Sequence, residues 1–474
     1  MAENFARRLE ASARRTPEKP ALVWDGGALT FDEVDRRAGA FAQILATKGV
    51  KPGDRIALAI GNHWAFAVGL LAGWKLGATV APLDTLLKPE ERADILADLA
   101  PALLIQEADV GGLAAAPEAG GATWASPSAG PALILYTSGS TGRPKGAVLS
   151  HAALALANES WAGPVMALTP QDIVLATLPL AHSLGLNGAL LSPLLVGATT
   201  ALVDRFTPQA VIEAIRRHRV TVFPGVATMF RRLLDTAELA GADLSSVRLA
   251  VSGAAPCPWE LAMKWRARTG VRIVRGYGMT ELFRPISYRA ADPTESPDAI
   301  GRAVPGVEIQ IVDDVGRPVP SGEAGELWIK SPSAMESYIN APAETREVLV
   351  EGWFRTGDLA TVSADGLVTI AGRKRERILR GGYSVFPPEV EAVLLTHPAV
   401  AEAAVIGVPH PELGEDVVAF VSLRPGLAAG PDELMAYCKQ RLAAFKYPRQ
   451  LTVLDTLPRG ATGKVLKSRL ARSS

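Results

Sequence analysis

The amino-terminal half of the chain alternates short apolar runs with segments of helical periodicity. An apolar run at 55–60 precedes a helical pattern from Trp64 to Leu76, and a run at 79–83 precedes another that begins near Lys88. Strands that alternate with helices in this way are typical of a mostly parallel sheet with helices on its faces. The pattern predicts an α/β fold whose large N-terminal domain contains doubly wound subdomains.

The same alternation recurs in three later segments, at 211–226, 244–256 and 271–281, and each predicted strand there ends in a glycine-rich corner. In open α/β sheets, ligands bind in the loops at the carboxyl ends of the strands. We therefore expect these corners to line a ligand site.

The pattern changes twice in the last third of the chain. From about Ile300 it favours short strands with close turns, including a hairpin at 313–318, which predicts a β-rich subdomain. After the basic segment 371–382 it predicts a small α+β domain, with a helix at 387–397 and strands at 401–409 and 415–423.

The length of 474 residues is too great for one hydrophobic core and indicates two or more domains. The basic segment 371–382 is the best boundary, and we predict a large domain at 1–375 and a small one at 376–474.

Composition excludes several classes of protein. Lys and Arg (49) balance Asp and Glu (49), so net charge does not indicate a nucleic acid or a membrane surface as a partner. Cys257 and Cys438 lack the spacing of a disulfide framework or a zinc site, which fits a reducing cytoplasm. The N-terminus has no apolar signal region and is expected to form an amphipathic helix.

The uncharged stretch 173–203 is long enough to suggest a membrane span. Prolines and glycines interrupt it, and it contains His182, Ser183 and Asn187. We predict a strand, a turn and a buried helix there, and no transmembrane segment.

The segment YTSGSTGRPKG (136–146) lies between two apolar, strand-like runs, at 131–136 and 146–151. It lacks the Gly-Lys-Ser/Thr ending of a P-loop, because Lys145 is followed by Gly146. Its composition still suits a polyphosphate, since glycine amides, hydroxyls and cations are all available. The alternative is a solvated surface turn. The residues concerned are Thr137, Ser138, Gly139, Ser140, Thr141, Gly142, Arg143, Lys145 and Gly146.

Three further motifs carry candidate chemistry. In GYGMTE (276–281), Tyr277 can stack on a base, Thr280 can donate to a phosphate and Glu281 can hold Mg²⁺. Asp358, which ends WFRTGD, can accept hydrogen bonds from ribose hydroxyls, and Lys464 lies in the late loop PRGATGK. The alternatives are a structural turn, a turn-forming aspartate and a solvated start of a helix, respectively.

Taken in order, these motifs and the segment GRKRERI strongly resemble the AMP-forming adenylating superfamily of acyl-CoA synthetases, adenylation enzymes and luciferases. The resemblance covers nearly the whole chain. It implies that the small domain is mobile and rotates about a hinge at Glu376, where the family usually has Asp or Lys. It also implies ATP and CoA as co-substrates and Mg²⁺ as a cofactor.

The resemblance assigns roles to individual residues. The segment from Thr137 to Lys145 would hold the β- and γ-phosphates, Glu281 would bind Mg²⁺, and Lys464 would be the catalytic lysine of adenylation. Thr280 would contact the α-phosphate. The remaining nucleotide-binding positions are Gly253, Ala254, Ala255, Gly276, Tyr277, Gly278 and Met279, with Asp358 and Arg373 at the ribose. CoA would pass Arg380, Gly381 and Gly382, and its phosphates would meet Lys446 and Arg449 unless those charges are simply solvated.

The acyl pocket is predicted from two places. PLAHSLGL matches a family motif in which Ala181 replaces the usual aromatic residue and His182 keeps its catalytic position, a core histidine being the alternative. Gly278 lies within the GYGMTE motif, and Leu282 and Arg284 follow it directly. Arg284 is a candidate partner for the second carboxylate of a dicarboxylic acid, or else for an acidic side chain of the protein.

The predicted function is AMP-forming acyl-CoA ligation of a carboxylic acid that is aliphatic, aromatic or dicarboxylic, with a homodimer left open as the assembly. The first alternative is an adenylation enzyme that loads the phosphopantetheine of a carrier protein. Others are a nucleotide-binding protein without turnover and a luciferase-like oxidase.

Overall fold

The computed structural model describes residues 3–111, 130–137, 144–292, 296–381, 383–459 and 465–470. The chain divides into two compact units, one comprising Met1–Ile309 and Ile329–Phe354 and the other Gln310–Trp328 and Arg355–Ser474. Segments 310–328 and 355–375 thus group with the C-terminal residues. The predicted boundary between 1–375 and 376–474 is the position of a hinge about which the small domain would rotate, and it stays a prediction.

The strands follow one another along the whole chain. They are β1 Pro20–Trp24, β2 Gly27–Thr30, β3 Arg55–Ala59, β4 Thr79–Pro82, β5 Leu103–Gln106, β6 Pro131–Thr137, β7 Lys145–Ser150, β8 Ile173–Ala176, β9 Thr199–Leu202, β10 Val222–Gly225, β11 Leu249–Ser252, β12 Ile273–Val274, β13 Gly276–Met279, β14 Phe283–Ser287, β15 Arg302–Ala303, β16 Glu308–Val312, β17 Gly325–Lys330, β18 Ser337–Tyr338, β19 Leu349–Val350, β20 Trp353–Val362, β21 Val368–Arg373, β22 Ile378–Arg380, β23 Tyr383–Val385, β24 Val400–His410, β25 Gly414–Leu423 and β26 Gln450–Val453.

Helices separate most of these strands in the first unit and frame the small sheet in the second. They are α1 Phe5–Arg15, α2 Phe31–Thr47, α3 Trp64–Leu76, α4 Pro89–Leu99, α5 His151–Ser160, α6 Ser183–Gly185, α7 Ser192–Val196, α8 Pro208–His218, α9 Ala227–Leu234, α10 Trp259–Thr269, α11 Pro342–Val348, α12 Pro387–Leu395, α13 Pro431–Lys439 and α14 Lys467–Leu470.

Two large sheets organise the first unit. One has the order β12-β11-β10-β8-β9-β1-β2 and is parallel except at β1–β2. The other has the order β18-β7-β6-β4-β3-β5 and becomes antiparallel at β6–β7 and β7–β18. The mixed α/β fold class predicted from the alternating pattern is confirmed, with a large N-terminal and a small C-terminal domain.

An aromatic cluster lies in the core beside the first sheet. Phe223 of β10 contacts Phe230 of α9 with ring centroids 5.1 Å apart, and Phe230 contacts Trp265 of α10 at the same distance. All three side chains are buried, so helices and sheet share one apolar core. Parallel pairing places β10, β11 and β12 side by side, with their carboxyl ends at the same edge of the sheet.

The uncharged stretch 173–203 is not a single helix. β8 and a turn lead into α6, π-helical turns at Leu186–Leu191 and α7, and β9 follows. Among the described residues, no helix is both long and apolar enough to cross a membrane. The predicted strand, turn and buried helix are confirmed, and the stretch also contains the strand β9.

The second unit contains a small antiparallel sheet of order β23-β22-β25-β24, with β26 parallel to β25. Val390 of α12 and Leu434 of α13 belong to its buried apolar core. The turn predicted at 313–318 is also present, since the Asp313 amide donates to the Arg317 carbonyl at 2.8 Å and Val312 bridges Pro318.

Candidate active site

The GYGMTE motif forms an antiparallel hairpin with the residues that follow it. β13 pairs with β14 from Gly276↔Ser287 to Met279↔Phe283. A Cβ at Gly278 would overlap the main-chain carbonyl of Phe283, so glycine is required there. Residues 276–281 are partly exposed, whereas 282–288 are buried. The predicted binding face is therefore accessible while the returning strand anchors it in the core.

The predicted adenine-site residues follow two neighbouring parallel strands. Gly253, Ala254 and Ala255 come directly after β11, and Gly276 comes just after β12. Ala254 has a φ of 62°, a left-handed conformation that residues with a side chain rarely adopt. Backbone strain of this kind clusters at ligand-binding corners, which supports the predicted location.

Arg284 lies beneath these two corners and donates to main-chain carbonyls of both. Its Nη1 donates to the Ser252 carbonyl at 2.9 Å and its Nη2 to the Val274 carbonyl at 3.3 Å. Its Nε donates to the Ser287 hydroxyl at 2.9 Å, and the guanidinium lies 5.0 Å from the centroid of the Trp161 ring. The side chain thus joins the ends of β11 and β12, which supports a structural role over the predicted contact with a second substrate carboxylate.

The guanidinium also fills the space behind two predicted nucleotide-site glycines. A Cβ at Gly276 would overlap it, and a Cβ at Gly253 would come within 3.1 Å of Nη1. Leu282, predicted to line the acyl pocket, is fully buried.

Glu281, the predicted magnesium ligand, is held by the segment around β18. The Tyr338 hydroxyl donates to Glu281 Oε1 at 2.7 Å, and the Met335 amide donates to the Glu281 carbonyl at 2.7 Å. Burial, and then the nearby Glu281 carboxylate, raise the pKa of Tyr338, so its hydroxyl remains a donor at neutral pH.

The two residues that flank the predicted phosphate loop are paired in register. β6 and β7 are antiparallel, with Thr137 opposite Lys145, and the Thr137 hydroxyl donates to the Lys145 carbonyl at 3.4 Å. The Lys145 ammonium lies 5.6 Å from the centroid of the Tyr338 ring. The predicted connection of two strands is confirmed by this pairing, which brings the cation to the same tyrosine that contacts Glu281.

His182 is not a core residue. Its side chain is 48% exposed, and Nε2 lies 2.7 Å from Asp84 Oδ2. The hydrogen bond from His182 lowers the pKa of Asp84, and the Leu86 amide donates to the other carboxylate oxygen. The alternative of a core histidine is therefore wrong, and Asp84 orients the imidazole in a partly exposed position.

In the second unit, Asp358 and Arg373 face each other across two strands. They are paired in the β20–β21 register, and Arg373 Nε lies 3.3 Å from Asp358 Oδ1. The Asp358 carboxylate is buried, and its amide donates to the Thr356 hydroxyl at 3.0 Å. Asp358 therefore lies within a strand, contrary to the alternative that it forms a plain turn.

The predicted hinge residue belongs to an ion-pair network. Lys467 Nζ lies 2.9 Å from Glu376 Oε2 and 2.8 Å from Glu391 Oε1. Burial lowers the pKa of Lys467, but the two carboxylates outweigh that effect and leave it raised. The network links the Glu376 turn to helix α14, which begins three residues after Lys464.

The residues predicted to contact CoA have partners within the second unit. Arg380 Nε donates to Asp416 Oδ1 at 2.6 Å, and Lys446 Nζ lies 2.5 Å from Glu389 Oε1. Arg449 donates to the Ala444 carbonyl at 3.0 Å. Gly381 has a φ of 56° and is exposed. These charges therefore already have partners in the protein, and their contact with CoA stays a prediction.

Several predicted site residues lie outside the described residues. They are Ser138, Gly139, Ser140, Thr141, Gly142 and Arg143 of the phosphate loop, Gly382, and Lys464.

Sequence reasoning missed three residues at these sites. Asp84 follows β4, and the rule that ligands bind at the carboxyl ends of parallel strands would have selected it. No local signal marks Tyr338 or Lys467, because each acquires its partner from a distant part of the chain.

Comparison with known families identifies the chain. The model of the AMP-binding enzyme family matches residues 9–339, and that of the AMP-binding enzyme C-terminal domain matches residues 389–464. The chain belongs to the AMP-binding enzyme family. This AMP-binding enzyme is 37% identical to a feruloyl-CoA synthase from Amycolatopsis, over 97% of each chain.

Solved structures agree with this assignment. The enzyme resembles ATP-bound MatB from Rhodopseudomonas palustris with a TM-score of 0.91 and 31% identity, over 100% of this chain and 99% of that one. It resembles a benzoate CoA ligase from Burkholderia xenovorans LB400 with a TM-score of 0.87 and 34% identity, over 99% of each chain.

Proposed function

We propose that this AMP-binding enzyme joins an aromatic carboxylic acid to CoA and uses the residues described above in two half-reactions. The reaction class is that of an AMP-forming acid–thiol ligase, and the carrier-protein alternative is not favoured. In the first half-reaction the carboxylate displaces pyrophosphate from ATP to form acyl-AMP. In the second, the CoA sulfur attacks the acyl carbon, the thiol proton is lost and AMP leaves.

One observation of geometry carries the assignment of the ATP site. Lys145 and Glu281 lie far apart in sequence, yet both contact Tyr338 in the first unit. A cation and a carboxylate at one location suit the phosphates of a nucleotide and the metal that accompanies them. We assign the β- and γ-phosphates to the segment from Thr137 to Lys145 and the α-phosphate to Thr280.

The remaining nucleotide contacts are assigned from the resemblance of the motifs to the family. The adenine is assigned to the corner at Gly253–Ala255 and to the face of Tyr277, beside Gly276, Gly278 and Met279. In the second unit, Asp358 and Arg373 are assigned to the ribose hydroxyls, for which the buried carboxylate supplies acceptors.

Magnesium is part of this proposal. The described residues contain no cluster of three or more His, Cys, Asp or Glu that could hold a metal. Mg²⁺ is often held by one or two carboxylates together with substrate phosphates, so the single Glu281 carboxylate fits it. When bound, the ion would neutralise charge on the phosphates of ATP.

Lys464 is assigned to adenylation, where its charge would offset the repulsion between the incoming carboxylate and the α-phosphate. We expect Lys464→Ala to slow acyl-AMP formation by roughly 10²- to 10³-fold. Thioester formation from supplied acyl-AMP should be nearly unchanged, since that half-reaction does not bring together the same two anions. Equal losses in both half-reactions would contradict the role.

The acid is assigned by similarity to the feruloyl-CoA synthase and the benzoate CoA ligase. Ala181, which replaces a larger aromatic residue of the family motif, supports a wider acyl pocket. The decisive experiment measures AMP released with CoA as the sole acceptor for ferulate, benzoate, a short dicarboxylate and a long-chain fatty acid. Faster turnover of either aliphatic acid would reject the aromatic class, and no AMP with any acid would reject the function.

Two further statements belong to the proposal. CoA is expected to pass Arg380, Gly381 and Gly382. A homodimer and a cytoplasmic location stay predictions, and light scattering of the purified protein measures the first.

A further inference from the structure

We infer that Tyr338 is a positioning residue that sets the geometry of both Glu281 and Lys145 in the ATP site. The inference rests on the proposed function, because it assigns those two residues to magnesium and phosphate. Tyr338 belongs to none of the motifs that identified the site.

The contact with Glu281 is made at two points. The Tyr338 hydroxyl donates to Oε1 at 2.7 Å, and three residues earlier the Met335 amide donates to the Glu281 carbonyl at 2.7 Å. The carboxylate and the main chain of Glu281 are thus both bound to the segment 335–338. A hydrogen bond to Oε1 restricts rotation of the carboxylate and so fixes the direction of its other oxygen.

Tyr338 is itself held firmly. Its strand β18 pairs with β7, with Tyr338 opposite Ala147, and its amide donates to the Thr345 hydroxyl at 2.9 Å. The Thr345 hydroxyl in turn donates to the Ala341 carbonyl at 2.8 Å. The side chain is only 9% exposed, so its orientation is determined by packing.

The second contact is with Lys145, at the start of the strand that pairs with β18. The ammonium lies 5.6 Å from the Tyr338 ring centroid, within the range of a cation–π interaction. The hydroxyl therefore contacts the carboxylate, while the ring contacts the cation. One side chain sets the separation of two opposite charges that come from distant segments.

Two substitutions distinguish the contact of the Tyr338 hydroxyl with Glu281 from the contact of its ring with Lys145. Tyr338→Phe keeps the ring and removes the donor to Glu281, whereas Tyr338→Leu removes both. We expect Tyr338→Phe to raise the Mg²⁺ concentration needed for half-maximal ATP binding about 10-fold, since hydrogen bonds to charged groups are among the stronger ones. ATP affinity at saturating Mg²⁺ should change less than about 3-fold for Tyr338→Phe and about 10-fold for Tyr338→Leu.

The measurement is calorimetric titration of the full-length protein with ATP at a series of Mg²⁺ concentrations, without an acid substrate. Tyr288→Phe is the matched control, because it likewise removes the hydroxyl of a buried tyrosine, here one that accepts from the Ser296 amide at 2.8 Å. The control should leave the Mg²⁺ dependence unchanged. Thermal unfolding of each variant verifies that it is folded.

A second variant keeps the test decisive should Tyr338→Phe fail to fold. Tyr338→Leu also removes the donor to Glu281, and it should raise the Mg²⁺ requirement by a similar factor. In a Glu281→Gln background, Tyr338→Phe should have no further effect on the Mg²⁺ requirement. A folded Tyr338→Phe protein with the wild-type Mg²⁺ dependence would overturn the inference, as would additive effects in that background.

The outcome also separates this inference from the proposed function. A wild-type protein that binds ATP in a Mg²⁺-dependent way but forms no AMP with any acid contradicts the function alone. A wild-type protein that does not bind ATP with Mg²⁺ overturns both.

Discussion

Replacing Arg284 distinguishes a structural arginine from one that selects the substrate. Arg284→Leu removes the donors to the Ser252 and Val274 carbonyls beneath the adenine corner. Each buried carbonyl that loses its donor costs about 1–3 kcal/mol of stability. The variant no longer bears the cost of burying a charged guanidinium, which offsets part of the loss from the two carbonyls. We expect the free energy of unfolding to fall by about 2–4 kcal/mol, which lowers the unfolding temperature of a unit of this size by roughly 3–6 °C.

The assay combines thermal unfolding with a panel of mono- and dicarboxylic acids. Since the guanidinium supports Gly253 and Gly276, we expect a higher KM for ATP with every acid and an unchanged ranking of the acids. Arg275→Leu is the matched control, because Arg275 is also buried, donates to the Pro297 carbonyl at 2.8 Å and lies 4.9 Å from the Trp259 ring centroid. The Arg275→Leu protein should lose about as much stability as the Arg284→Leu protein.

The reasoning would be refuted by a stable Arg284→Leu protein that loses activity only toward dicarboxylic acids. That result would restore the role in binding a second substrate carboxylate.

Two further predictions concern ion pairs. The hydrogen bond from His182 lowers the pKa of Asp84. The Asp84 carboxylate therefore stabilises the fold at a pH above the ordinary pKa of aspartate, and this stabilisation is lost as the pH falls through the lowered pKa. The unfolding temperature of Asp84→Asn should therefore fall less steeply than that of the wild type below about pH 4, and parallel curves would contradict this. Lys467→Met leaves Glu376 beside a second carboxylate and should destabilise the second unit by about 1–3 kcal/mol. The two carboxylates raise the pKa of Lys467 despite its burial, so its contribution to folding stability should persist from neutral pH to above its ordinary pKa of 10.5. Calorimetry measures the unfolding transition of Lys467→Met, and a transition at the wild-type temperature would contradict the network.

Much of the fold was predictable because its signals are local. The runs at 55–60 and 79–83 form β3 and β4, and the helical pattern from Trp64 to Leu76 forms α3 with those bounds. The helix predicted at 387–397 is α12, Pro387–Leu395. In each case the period of the apolar positions matches the geometry of the element itself.

Elements whose form depends on packing were less predictable. The stretch 173–203 shows apolar residues without a clear period, and there the structure has π-helical turns between short helices. A Cβ at Gly188 would lie 3.2 Å from the Trp161 ring, so this glycine is explained by a residue of a different helical segment. Such close approaches have no sequence signal.

The candidate site divides in the same way. By itself the sequence determined the motif residues, because glycines, hydroxyls and carboxylates at fixed short spacings express the local geometry that a nucleotide requires. Tertiary structure decided the partners of those residues: Tyr338 for Glu281 and Lys145, Asp84 for His182, and main-chain carbonyls for Arg284. Hydrogen bonds and ion pairs depend on distance in space, and only the folded chain brings residues so far apart in sequence within 3 to 6 Å of each other.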